Sequence, residues 1–286
     1  MDDITTTNRP RLRDPSAKLE HRIRDALDIA IGAYPSMDIE PGGRRHYDLR
    51  ALMREDAARF SYHLDLVLRR IPTGGRVADI GGGITPHCHA LTLMGYRGVI
   101  VDDFGDLWHV NAARTLESQV LDVQKRDGVE IVSCDILKGL PLEPNSFDAI
   151  MSFDCLEHLH HSPKKMMTDW VTALKPGGLF FLGVPNCVNL RKRLTVPFGN
   201  GKWSQMQEWY EGEVFRGHVR EPDVDDLHYM ARSLGLREVE VAGKNWLGYS
   251  SHFPLVQMLT PFADRLLQLR PSLCANIYLI GHKPSA

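Results

Sequence analysis

What this chain lacks narrows its class before any motif is read. It carries no excess of charge. Lys+Arg 34 against Asp+Glu 36 gives a net charge of −2, too little cation for wholesale binding along a phosphate backbone. Its five cysteines (Cys88, Cys134, Cys155, Cys187 and Cys274) show no paired spacing. That argues against a disulfide framework and for a reducing compartment, expected to be the cytoplasm. No uninterrupted apolar stretch approaches the roughly 18 residues of a membrane-spanning helix. The opening Met1-Asp2-Asp3-Ile4 is followed by neither a basic nor an apolar region, so no signal peptide is expected. There is no internal repeat. What remains is 286 residues, 43% of them hydrophobic, enough for one large domain with an elaboration.

Residues Arg76 to Pro86 organise the rest. Val77 to Ile80 reads as a short buried strand. Gly81-Gly82-Gly83 then allows a sharp turn whose bare backbone can approach a ligand. Thr85-Pro86 reads as the N-cap and first position of a helix through Ala90, Leu91 and Leu93. Strand, glycine turn and helix start form a nucleotide pocket at the carboxyl edge of an open α/β sheet. The dinucleotide pattern G-x-G-x-x-G would need a third glycine where Pro86 stands, which counts against a nicotinamide-binding oxidoreductase. Further strands are predicted near 97–102, 129–133, 147–152, 179–184, 238–241 and 275–281, alternating with helices as in parallel βαβ units. Asp102-Asp103 close the second strand about 20 residues past the glycines, where an acid commonly takes ribose hydroxyls. Capping the following helix is the other reading of Asp103.

The run Asp79-x-Gly81-x-Gly83 resembles motif I of class I S-adenosylmethionine (SAM) methyltransferases, with Thr85 replacing that family's last glycine. Cys134-Asp135-Ile136, Pro141-Leu142, Ser146 to Ile150, Leu156-Glu157-His158 and Leu174 to Gly178 follow in the order of the methyltransferase type 11 group. The likeness covers residues 70–185 well and 217–283 more loosely. It implies a Rossmann-like, doubly wound, mostly parallel seven-stranded sheet. An N-terminal arm and helical cap would occupy 1–70 and the SAM-binding core 71–286, with 186–219 as a substrate or lid insertion after the fifth strand. By the same resemblance, Asp79, Gly81, Gly82 and Gly83 hold the cofactor and Asp102 takes its ribose, with Asp103 as the fallback. Asp135 would meet the adenine amino group, with Ile136 against the ring and Asp154 at the mouth of the crevice.

Chemistry is expected just after the fourth strand. If Asp154 to His158 is helical, Asp154 faces Glu157 and His158 at i+3 and i+4, and His158 with Glu157 can take a proton from an acceptor hydroxyl. The segment also resembles that of ubiquinone-pathway O-methyltransferases and small-RNA 2′-O-methyltransferases, where such residues and a later histidine hold a divalent cation. Here that set would be Asp154, Glu157, His158 and His218, with Mg or Zn. The rival reading is a capping box from Asp154 to Glu157 and no metal. The expected activity is methyl transfer to a hydroxyl of a small-molecule, sugar or lipid-linked acceptor, with nucleic acid disfavoured by charge. N- or C-methylation, a non-catalytic SAM-fold partner subunit and an RNA methyltransferase are the alternatives.

The flanks complete the reading. Residues 1–15 are expected to form a mobile arm, and helices are predicted over 16–33 and 46–70. Arg44, Arg45, His46 and Tyr47 reach the cofactor or form a solvated basic turn. The insertion bears Phe198, Trp203, Met206, Trp209, Tyr210 and Phe215, a lid or a self-packed unit, and Arg191-Lys192-Arg193, suited to one phosphate or carboxylate. His87 and His89, two apart on a helix, face different ways, and His160-His161 reads as a solvated loop. Residues 246–273, with Phe262, Leu266, Leu267 and Leu269, are expected to be ordinary core. A peripheral membrane contact or a dimer face is the alternative.

Overall fold

Apolar periodicity sets the layers of the computed structural model, which describes residues 10–34, 38–39, 47–105, 112–201, 204, 206–246, 249 and 253–285. The chain begins with α1 (Leu19–Gly32), a two-residue ribbon of β1 (Asp38–Ile39) and β2 (Tyr47–Asp48), α2 (Leu49–Glu55) and α3 (Ala57–Leu68). The sheet region follows as β3 (Arg76–Ile80), α4 (His87–Leu93), β4 (Arg97–Asp102), α5 (Ala112–Asp127), β5 (Glu130–Ser133), β6 (Phe147–Phe153), α6 (Lys164–Ala173) and β7 (Leu174–Pro185). An insertion with α7 (Leu190–Thr195) and α8 (Met206–Glu211) precedes α9 (Val224–Ser233), β8 (Arg237–Lys244), α10 (Pro254–Gln268) and β9 (Asn276–His282).

The seven-stranded sheet runs β5-β4-β3-β6-β7-β9-β8. The first five of these strands are parallel, and β9 lies antiparallel to both β7 and β8. This is the expected doubly wound, mostly parallel sheet. The order reverses at β3, where the neighbours β4 and β6 diverge and leave a crevice at the carboxyl edge. One face is covered by α1, α3 and α4, whose Ile23, Leu27, Phe60, Leu64, Cys88 and Leu91 share a core with Ile100, Met151 and Phe181. The other packs Met166, Met167 and Trp170 of α6 and Leu227 and Ala231 of α9 onto Ile80, Ile150 and Phe180.

Several local expectations are corrected. The single helix over 46–70 is two, broken at Asp56, and the break turns α3 so that Phe60, Leu64 and Val67 enter the core while α2 buries only Leu49. Thr85 is not an N-cap. Pro86 holds that place without a side-chain bond, because the Thr85 hydroxyl is spent on Asp79. The helix expected to end at Pro176-Gly177-Gly178 stops at Ala173, and Leu174 already pairs with Phe147 as strand. The segment 246–273 is not ordinary core: α10 turns most of its leucines, Met258 and Phe262 outward.

Candidate active site

The three glycines after β3 serve three different ends. Gly81, at φ +70°, has its open side against Cys155, whose thiol any Cβ there would strike. A Cβ on Gly82 would come within 2.7 Å of the Asp79 carboxylate. Gly83 adopts φ +51° and donates its N–H to Asp102 Oδ2 at 2.9 Å. The other Asp102 oxygen accepts from the Phe104 amide at 2.7 Å. Asp79 itself is buried behind the bend, accepting from the Thr85 hydroxyl at 3.3 Å and facing His87 Nδ1 at 3.3 Å. It shapes the loop from the rear.

Over this bend opens a cleft of about 260 Å³, lined by Gly81, Asp102, Asp103, Asp135, Ile136, Asp154, Cys155 and His158. The insertion closes one side with Val214, Phe215 and Arg216. Most of the residues expected to hold a cofactor therefore meet around one space, although they come from four strand ends far apart in sequence. Asp103 makes an Asx turn, its Oδ1 accepting from Gly105 N at 2.8 Å. Asp135 accepts from Leu137 N at 3.0 Å. That amide, and then Lys138, hold its carboxyl below the ordinary carboxylate range.

The turn after β6 is not the helix expected of it. Asp154 sits at φ +49° while its amide remains bonded to Gly183 O at 3.0 Å. Only the 3₁₀ turn Leu156–His158 follows, with no side-chain cap. Both the i+3/i+4 helical face and the capping box fail, because the left-handed Asp154 lies outside the turn, whose cap position is Cys155. Its carboxylate instead forms an ion pair with Arg59 of α3, so it stands apart from the other three expected cation ligands.

Those three do converge. Glu157, His158 and His218 each offer a ligand atom within 4.8 Å of the others. Glu157 is 1% exposed, and neither carboxyl oxygen has a hydrogen-bond partner among the described residues. Burial pushes its carboxyl up to about 7, only partly offset by His218 and Arg59. A buried orphan carboxylate is costly unless a cation or proton satisfies it. His158 Nδ1 lies 2.8 Å from Arg216 O, and His218 Nδ1 lies 2.7 Å from Glu221 Oε1. Each acceptor fixes the proton on Nδ1, and at His218 this leaves Nε2 unprotonated, the state in which an imidazole nitrogen can bind a cation. The Glu221 hydrogen bond raises His218 above its ordinary value, outweighing burial. The rings of the two histidines meet edge to face, with centroids 4.9 Å apart.

The sequence reading missed Arg59 and His63. His63 is buried between His87 (Nδ1 to Nε2, 3.3 Å) and Tyr278 (Nε2 to OH, 3.2 Å) and stacks on Phe153 at 3.8 Å. A signal existed: Arg59 and His63 stand i, i+4 beside the apolar stripe Phe60, Leu64, Val67. His87 and His89 do face different ways, the second toward Asp127 at 2.8 Å. His160 contacts Phe215 O at 3.1 Å. Arg44, Arg45, His46 and Trp203, and the side chain of Tyr47, lie outside the described residues.

Comparison with known proteins adds three findings. The model of a family described as a methyltransferase domain matches residues 45–241, more than half of the chain. None of the curated proteins compared with it matches. Among solved structures, a SAM-dependent methyltransferase of Thermotoga maritima superposes with a TM-score of 0.52 at 17% identity, covering 82% of this chain and 95% of that one. One of Mesorhizobium loti gives a TM-score of 0.52 at 16% identity, covering 80% and 99%. Phosphoethanolamine N-methyltransferase 2 of Haemonchus contortus, in complex with SAM, gives 0.50 at 19% identity, covering 92% of this chain and 60% of that one.

Proposed function

The chain belongs to the methyltransferase-domain family, whose donor is S-adenosylmethionine, and from that premise we propose that it methylates a hydroxyl of a small-molecule or lipid-linked acceptor. The observation that carries the choice of oxygen is the pairing of an orphan buried Glu157 with His158 and His218 beside the cleft. A neutral amine needs little help to attack a sulfonium, whereas a hydroxyl gains from a base or a Lewis acid.

SAM, when bound, supplies an electrophilic methyl carbon and a neutral thioether leaving group. The chain's own contribution is positional. The glycine bend leaves backbone exposed beside Cys155, and Asp102, whose oxygens accept from the Gly83 and Phe104 amides, would offer its remaining lone pairs to ribose hydroxyls. Asp135 and Ile136 line the cleft and would meet the adenine. Holding the acceptor oxygen in line is worth roughly 7–11 kcal/mol. His158, or a Glu157 carboxyl near 7, takes the hydroxyl proton, for about 10²–10⁴-fold in rate.

The donor set of one carboxylate and two imidazoles suits a zinc-like cation. Glu157, His158 and His218 would hold it, and it would supply Lewis acidity toward the acceptor hydroxyl. Asp154 is not in this set.

Labelled SAM incubated with metabolite and lipid fractions, with and without chelator, tests the reading. A methyl ether in the product, lost in His158→Ala while SAM affinity stays within twofold, is the expected result. Label on nitrogen would replace O-methylation, full activity after chelation would remove the cation, and a protein that binds no SAM would overturn the whole proposal.

A further inference from the structure

Helix α10 is inside out. At 3.6 residues per turn, Leu255, Met258, Leu259, Phe262, Leu266 and Leu269 fall within an arc of about 100°, and each is at least 51% exposed. The opposite face carries Thr260 and Asp264, both buried. Asp264 accepts from Asn245 N and Nδ2 at 3.0 Å each, Tyr249 OH at 3.1 Å and Gln268 Nε2 at 2.7 Å, and pairs with Lys244. This anchor locks the helix about its axis. Rolling the apolar stripe inward would strand a buried carboxylate's partners, so the stripe is held outward by construction.

A second apolar segment adjoins it. Leu194, Val196 and Phe198, the last 82% exposed, follow β7. Arg193 Nη2 donates to Ser272 O at 3.2 Å, and Asn186 Nδ2 donates to Ser272 O at 3.0 Å, tying this segment to the end of α10. Both segments leave the sheet at its carboxyl edge, since Lys244 and Pro185 each pair with Asn276. That is the edge holding Gly81, Asp102 and Asp154.

The charge pattern selects the occupant. Between residues 246 and 275 the only acid is Asp264, which is anchored inside, while Arg265 and Arg270 are exposed beside the stripe. Residues 186–207 contain no acid, and Arg191 is exposed beside Leu194. A second copy of this chain would set like charges against each other across a symmetric interface. An anionic bilayer would attract all of them. No helix among the described residues is long and apolar enough to cross a membrane. The 15 residues of α10 suit a helix lying in the interface plane instead.

We propose that the outward face of α10 and the segment Leu194–Phe198 dock on an anionic lipid bilayer and bring the mouth of the cleft to acceptors dissolved in it. The docking stands on exposure and charge alone; the acceptor class it implies rests on the methyl-transfer reading.

Co-sedimentation with vesicles tests it, using phosphatidylglycerol mixed with phosphatidylcholine against phosphatidylcholine alone. Wild type should partition at least tenfold more strongly onto the anionic vesicles. Phe262→Glu/Leu266→Glu should lose at least tenfold of that binding with SAM affinity unchanged by calorimetry, and Arg265→Glu/Arg270→Glu should abolish the preference for anionic lipid. Absence of vesicle binding, or equal binding by the double glutamate variant, overturns the proposal. So does a wild-type dimer that the glutamate variant splits, by light scattering, without vesicle binding in either protein. A failure of SAM binding in wild type would instead strike the methyl-transfer reading and leave the docking result standing.

Discussion

Arg59, on a helix before the sheet, forms an ion pair with Asp154, on the turn after the fourth parallel strand. The pair joins the N-terminal helices to the mouth of the cleft. Asp154 also holds a left-handed conformation that a non-glycine residue adopts at a cost of ~1–3 kcal/mol, so the arginine both balances its charge and fixes its backbone.

Replacing Arg59 by methionine is predicted to lower thermal stability only slightly, by on the order of 1 kcal/mol, because both side chains are partly exposed. Turnover should fall much further, by about tenfold or more, since an aspartate released from its partner no longer fixes the turn that carries Glu157 and His158. Steady-state kinetics beside a melting curve separates the two effects. A variant with full turnover would mean the pair is only a surface contact.

Asp102 holds two backbone amides that must yield or share when ribose hydroxyls arrive. Charge-assisted hydrogen bonds of this kind are worth about 1.5–3 kcal/mol, so Asp102→Ala should weaken SAM binding by about tenfold to a hundredfold. Asp102→Asn, which keeps one acceptor oxygen, should fall between. Calorimetric titration gives both numbers, and unchanged affinity in the alanine variant would remove Asp102 from the cofactor site.

Gly81 and Cys155 occupy one space. Gly81→Ala drives a Cβ into the Cys155 side chain at a positive φ, for an expected loss of about 1–3 kcal/mol from overpacking. Removing the sulfur in Gly81→Ala/Cys155→Ala should restore part of this. Full recovery is not expected, because the Cys155 Cβ would still lie 2.8 Å from the new methyl. Denaturant melts of the single and double variants measure the coupling, and strict additivity would contradict the contact.

Acid should destabilise the protein through His63. Burial, helped by the neighbouring His87 and Arg59, keeps this imidazole neutral well below its ordinary 6.5. The unfolded chain takes up a proton near pH 6.5 that the folded chain refuses, so stability is full above that pH. Below it, stability falls as pH drops toward the depressed folded pKa, by up to about 1.4 kcal/mol per pH unit. His89, depressed chiefly by burial, adds to the same slope. His63→Gln should flatten the stability profile between pH 7 and 5, and a parallel profile would show that other groups carry the acid sensitivity.

The sequence by itself determined the sheet and the parts of the cleft that hang on strand ends. Val77 to Ile80, Gly98 to Asp102 and Phe147 to Ile150 are short apolar runs bounded by glycine or acid, and their alternation with helical segments buries them as neighbouring parallel strands. Gly81, Gly83, Asp102 and Asp135 follow from that register. Tertiary structure alone decided the rest, because it depends on contacts between residues distant in the chain. Local pattern made Asp154 to Glu157 a helix start, but its bond to Gly183 and its pairing with Arg59 force the left-handed turn that drives Glu157 inward toward His218. Composition made α10 ordinary core, yet hydrophobicity names only which residues avoid water. A single buried Asp264, gripped from Lys244, Asn245 and Tyr249, decided which way those residues face.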